Sequence, residues 1–133
     1  MDTLGRHVLI ELWDCNSAIN QPEAVRAAIY EAVREIGATL LNAHVHAFSP
    51  QGVTGVATLA ESDLALHSWP EHDYLAADVF TCGDHVNPRA LVDVLSRRFE
   101  PGVVEVKEIE RGRRPAPSRV PSLENTDFQS LEE

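Results

Sequence analysis

From Pro22 to Gly37 the chain carries a single apolar stripe. Val25, Ala28, Ile29, Ala32, Val33 and Ile36 recur at the period of an α-helix, and Glu23, Arg26, Glu31, Arg34 and Glu35 fall on the opposite side. Pro22 stands in the first turn, where its missing N–H costs nothing, and Gly37 ends the run as a C-cap. A helix that is apolar on one side must lie on something flat, and the segments around it have the pattern of strands. His7–Trp13 precedes it; Ala38–Phe48, Val53–Ala60, Leu64–Trp69 and Leu75–Thr81 follow in succession, separated by turn residues and by Pro70. In the first of these, Leu41, Ala43, Val45 and Ala47 share one face, and Leu40, Asn42, His44 and His46 the other. Gly55, inside the next, marks a bulge or a close backbone approach.

A second helix is predicted after Asn87-Pro88, with Asn87 as N-cap and Pro88 at the first helical position. Its buried stripe is Leu91, Val92, Leu95 and Phe99, and Arg97 and Arg98 complement the dipole at its end. Pro101-Gly102 stops it, and Val103–Ile109 alternates as a half-exposed last strand. The order β-α-β-β-β-β-α-β implies an α+β two-layer sandwich, a mostly antiparallel sheet with two helices on one face. One domain is expected over residues 1–112. Residues 113–133 are proline-rich and aperiodic, and are expected to form a flexible tail that Phe128 and Leu131 anchor on a neighbour.

Charge and cysteine usage narrow the function. The formal net charge of -10 argues against nucleic acid or an anionic membrane as partner, since both select basic surfaces. No apolar stretch approaches the roughly 20 residues that span a bilayer. The N-terminus lacks the basic flank and apolar run of a signal peptide. The two cysteines, Cys15 and Cys82, form no framework, which fits a reducing compartment. A cytoplasmic enzyme or binding protein acting on a small molecule is the expectation.

Candidate chemistry concentrates between Glu61 and Cys82. A hydroxyl (Ser62) lies between two acids (Glu61 and Asp63), with His67 five residues on and the Cys82 thiol at the end of the stretch. Adjacent strands of one sheet would then supply nucleophile, base and proton donor. Each has a plainer reading: Ser62 as a turn residue, His67 as a core histidine, Cys82 as a small hydrophobe. Ser62 lacks the G-x-S-x-G setting of an esterase. His44 and His46 share a strand face, but spacing places no third ligand, so no metal is expected.

The flanks of these residues carry a resemblance. L-G-R-H at 4–7, H-A-F-S-P-Q-G-V-T-G at 46–55, E-S-D-L-A-L-H-S-W-P-E at 61–71 and D-V-F-T-C-G-D at 78–84 resemble the bacterial and archaeal S-adenosylmethionine decarboxylase proenzymes, in order and in register. The resemblance implies a self-processing carboxy-lyase of polyamine biosynthesis, whose product is the aminopropyl donor for spermidine. Ser62 would attack the Glu61 carbonyl and His67 would assist elimination of the resulting ester. The products would be a β chain (1–61) and an α chain (62–133) that opens with a pyruvoyl group made from Ser62. That cofactor would form a Schiff base with the substrate, and Cys82 would protonate the product. Thr54 stands where the family has the serine that stabilises the processing intermediate. Phe48, Trp69 and Glu71 would contribute to the substrate pocket, and the family's use of a second protomer implies a homodimer.

Departures bear on the substrate. Asp63 stands where histidine is common, His72-Asp73 replaces Tyr-Gly, and Arg89 follows Asn-Pro where Asp-Pro-Trp is common. A carboxylate beside the reactive group places Asp63 among the substrate-binding candidates. It also suits the cationic side chain of L-arginine or L-ornithine, a live alternative to S-adenosylmethionine. A non-processing binding or regulatory homologue is the third possibility.

Overall fold

The computed structural model describes residues 3–116; the expected anchors Phe128 and Leu131 lie outside them. β1 (Gly5–Trp13) leads through a short 3-10 turn into α1 (Pro22–Ile36). β2 (Leu40–Ala47), β3 (Val53–Leu59), β4 (Ser62–Trp69) and β5 (Tyr74–Thr81) follow, then α2 (Ala90–Phe99) and β6 (Val103–Arg111). The strands form one sheet in the order β2-β3-β4-β5-β1-β6, antiparallel at every pairing. The expected α+β sandwich is the observed architecture.

The α1 stripe is buried as its period requires: Val25, Ala28, Ile29, Ala32, Val33 and Ile36 all leave solvent. Gly37 takes φ 83°, and its N–H closes the helix on the Val33 and Arg34 carbonyls. The stripe packs over β2 and β3 and shares one buried core with Val8, Ile10 and Leu12 of β1, Leu64 and Leu66 of β4, and Leu75 and Val79 of β5. α2 packs beside α1 and adds Leu91, Val94, Leu95 and Phe99. Where the helices meet solvent, Arg98 Nε donates to Glu31 Oε1 at 2.8 Å and Arg97 pairs with Glu35.

Three local expectations are corrected. Leu40, not Leu41, packs on the core, because the β2–β3 register shifts between Leu40 and Asn42 and reverses the alternation. α2 begins at Ala90: the Ala90 and Leu91 N–H groups bond the carbonyls of Asn87 and Pro88, so Asn87 opens a tighter turn ahead of the helix and does not cap it. Val94 stands at the centre of the α2 stripe, with Val92 at its margin. Gly55 resolves as a close approach, since a Cβ there would lie 2.7 Å from Ile29 Cδ1 and 3.0 Å from Val25 Cγ1.

Both helices cover the same face of the sheet. On the other face, no layer among the described residues covers Trp13, Val56, Trp69, Val103 or Ile109, which are exposed. Trp69, Tyr74 and Trp13 form an aromatic row there across β4, β5 and β1, with Trp13 stacked on Tyr74 at 4.3 Å between centroids. No helix among the described residues is long and apolar enough to cross a membrane.

Gly55→Val should force α1 off the sheet and cost about 1–3 kcal/mol, the usual range for overpacking. Urea unfolding measures it, and an unchanged midpoint would show that α1 does not need this approach.

Candidate active site

β4 is extended beyond its first residue and paired on both sides, to β3 and β5. Its candidate residues therefore separate into two groups. Ser62 stands at the start of the strand; His67 lies five residues on and Trp69 at the end. Five residues of extended chain span about 16 Å. Their alternation differs as well: Leu64, Leu66 and Ser68 face the helices, while Ala65, His67 and Trp69 face the bare side. β4 carries Ser62 and His67, and Cys82 directly follows β5, so the three come from adjacent strands of one sheet as expected, but they do not all meet. Ser62 and Cys82 are neighbours, and His67 is remote from both within the protomer.

At the first end, the Glu61–Ser62 peptide is held from several sides. The Glu61 carbonyl accepts from the Cys82 N–H at 3.1 Å and from Cys82 Sγ at 3.5 Å. The Glu61 side chain is buried, its carboxylate accepting from the Thr39 N–H at 3.0 Å and pairing with His85 Nε2 at 2.9 Å. The Thr39 N–H, and after it the His85 ring, hold the Glu61 carboxyl below the usual carboxylate range. Ser62 takes φ 137°, a conformation that L-residues rarely adopt, and its hydroxyl donates to Asp63 Oδ1 at 3.1 Å. Thr81 sits opposite Ser62 in register, and its buried hydroxyl has no partner among the described residues.

At the second end, Phe48, Gly52, Thr54, His67, Trp69 and Glu71 line a cleft of about 300 Å³. Thr54 Oγ1 and His67 Nδ1 are 3.3 Å apart, as their pairing across β3 and β4 requires. Ser68 anchors the cleft floor: its hydroxyl accepts from the Val53 N–H at 2.9 Å and donates to the Val53 carbonyl. Phe48 and Trp69 expose flat faces, and Glu71 follows Pro70 in a 3-10 turn. Near the cleft, Tyr74 donates to Glu11, and burial and this carboxylate push the phenol up to about 12.

The two thiols differ. Cys15 is buried, and burial, with Asp73 and Asp14 adding to it, pushes its pKa up to about 11, whereas Cys82 is exposed. His44 and His46 lie on the bare face of β2, and no group of three or more His, Cys, Asp or Glu among the described residues could hold a metal ion. Sequence inspection missed His85 and Thr39. Both lie outside the strands, where no periodicity flags them, and they reach Glu61 only through the fold.

Residues 6–112 match the family described as S-adenosylmethionine decarboxylase. The chain is 49% identical to an S-adenosylmethionine decarboxylase proenzyme of Thermomicrobium roseum over 113 residues, 84% of this chain and 97% of that protein. A proenzyme of the same name from Methanococcus maripaludis is 44% identical over 113 residues, 84% of this chain and 93% of its own length. The crystal structure of the adenosylmethionine decarboxylase from Aquifex aeolicus superposes with a TM-score of 0.79 at 32% identity, covering 90% of this chain and all of that one.

Because folding lowers the Glu61 pKa, its ionised form stabilises the protein above the unfolded value of 4.5, and this is lost as pH falls through the folded value. Glu61→Gln should therefore lower the urea midpoint at neutral pH, with the deficit shrinking in acid. An equal deficit at both would contradict the assignment.

Proposed function

The chain belongs to the S-adenosylmethionine decarboxylase family, and from that premise we propose that it is a self-processing, pyruvoyl-dependent S-adenosylmethionine decarboxylase. The observation that carries this reading is the setting of the Glu61–Ser62 bond. A hydroxyl adjoins a carbonyl that already accepts two hydrogen bonds from Cys82, at a residue held in a strained conformation. Attack by Ser62 Oγ on that carbonyl places negative charge on an oxygen whose donors are already in position. The resulting ester is cut by elimination, which frees the β chain as a carboxylate at Glu61 and leaves a dehydroalanine that water converts, with loss of ammonia, to the pyruvoyl end of the α chain.

The ketone of the pyruvoyl group supplies the electron sink that decarboxylation needs. The surroundings of Ser62 fit such a group: the unpartnered Thr81 hydroxyl is a donor available to a new carbonyl, and the nearby Cys82 thiol holds a proton for the product α-carbon. In the cleft, the faces of Phe48 and Trp69 suit a flat adenine, and the Glu71 carboxylate suits a hydroxyl or cationic group. Product release then supplies an aminopropyl donor to polyamine synthesis. Free thiols, one of them exposed, suit a reducing cytoplasm.

The separation along β4 makes a second copy part of the reading. A two-fold axis lying across the strands, between two bare sheet faces, runs the paired β4 strands in opposite directions. The Thr54–His67 end of one protomer then lies over the Ser62–Cys82 end of its partner, and symmetry completes two equal sites. The exposed Trp13, Val56, Trp69, Val103 and Ile109 give that face the apolar character of a homodimer interface.

Denaturing mass spectrometry should find two fragments split after Glu61, and Ser62→Ala should leave one inactive chain. An intact wild-type chain after long incubation would overturn the self-cleavage. Released CO₂ should appear with S-adenosylmethionine and not with L-arginine or L-ornithine; turnover of a basic amino acid alone would reject the substrate. For the shared site, Ser62→Ala and His67→Ala chains are co-expressed. The His67→Ala chain should be cut in the mixture and not alone, and its staying intact in mixed dimers would exclude sharing.

A further inference from the structure

We propose that Asp63 is the base that starts maturation, taking the Ser62 hydroxyl proton as Oγ closes on the Glu61 carbonyl. The proposal rests on the self-cleavage reading and adds the proton acceptor that it lacks within the protomer. A serine hydroxyl attacks an amide only if a group within hydrogen-bond reach removes its proton. Asp63 Oδ1 accepts from Ser62 Oγ at 3.1 Å.

This contact is not what a regular strand provides. Adjacent side chains of a strand point to opposite faces. Ser62 departs from strand geometry at φ 137°, and its side chain meets that of the next residue.

The other carboxylate and the thiol at this end are committed, and the unpartnered Thr81 hydroxyl is too weak a base to take a serine proton. One Glu61 carboxylate oxygen takes the Thr39 N–H and the other pairs with His85 Nε2. The Cys82 thiol donates to the Glu61 carbonyl. His67 lies about 16 Å along the strand in the same protomer.

The step balances without a co-reactant. The Oγ–H bond breaks, its proton goes to Asp63, and the Oγ–C bond to Glu61 forms. The carbonyl electrons move onto the oxygen that Cys82 holds. The proton then passes from Asp63 to the Ser62 nitrogen as the C–N bond breaks and the carbonyl re-forms. An ester and a free amine result, and Asp63 is a carboxylate again. Elimination from the ester is a separate event, left to His67 of a second copy in the reading above.

The test uses the His67→Ala chain, which should stop at the ester. Neutral hydroxylamine cuts esters and spares amides, so the rate at which fragment 1–61 becomes releasable reports the acyl shift alone. Adding Asp63→Asn should slow that rate about a hundredfold, the usual scale of general-base catalysis, with the circular dichroism spectrum unchanged. Adding Asp63→His, a proton acceptor of different shape and charge, should restore most of it. An Asp63→Asn rate within a factor of about two of its parent would overturn the proposal. So would a slow Asp63→Asn chain that Asp63→His fails to rescue, since that pattern belongs to a structural carboxylate. If neither the wild type nor the His67→Ala chain ever yields a fragment, the self-cleavage reading itself is wrong, and the proposal falls with it.

Discussion

β4 runs from Ser62 to Trp69, extended beyond Ser62 itself and hydrogen-bonded on both sides, and the arrangement of the site follows from that rigidity. A strand in the middle of a sheet cannot fold back to bring its own ends together without breaking two ladders. Two kinds of residue are thereby set at fixed stations. Those around the Glu61–Ser62 peptide gather at one end, and those around the Thr54–His67 pair at the other. The proposed shared site is the way such a strand can unite what it has separated.

The sheet that holds β4 is finished on one side only. α1 and α2 supply the core, and Gly55 lets α1 settle against β3 where a larger residue would hold it away. The bare face carries an aromatic row that ends at Trp69 in the cleft, and exposed aliphatic side chains. A small domain that leaves such a surface open has stability to gain from a second copy. The proposed assembly thus joins folding to function, since the contact that covers the face also completes the site.

Much of the fold was legible because two periodicities are hard to confuse over long segments. The α1 stripe emerged residue for residue, since six apolar positions at one spacing admit one face. Errors fell where a local irregularity overrides the period. The shift between Leu40 and Asn42 exchanges Leu40 and Leu41, and the tight turn at Asn87 delays α2 to Ala90. At the site, the motifs named Ser62, Cys82, Thr54 and His67, but only the strand observed between them shows that Ser62 and His67 do not meet within one protomer. His85 and Thr39 gave no such signal, being loop residues joined to Glu61 across long sequence separations.

The sequence by itself determined the order of the elements, the buried face of α1 and the family, because periodicity and spaced motifs are properties of neighbours along a chain. Only the tertiary structure decided which residues stand together. It set the Glu61 carbonyl under the Cys82 N–H, turned the Ser62 hydroxyl toward Asp63, and left Thr54 with His67 at the far end. The physical reason is that register, strand length and one strained dihedral fix distances in space, and none of them is written at a single position of the sequence.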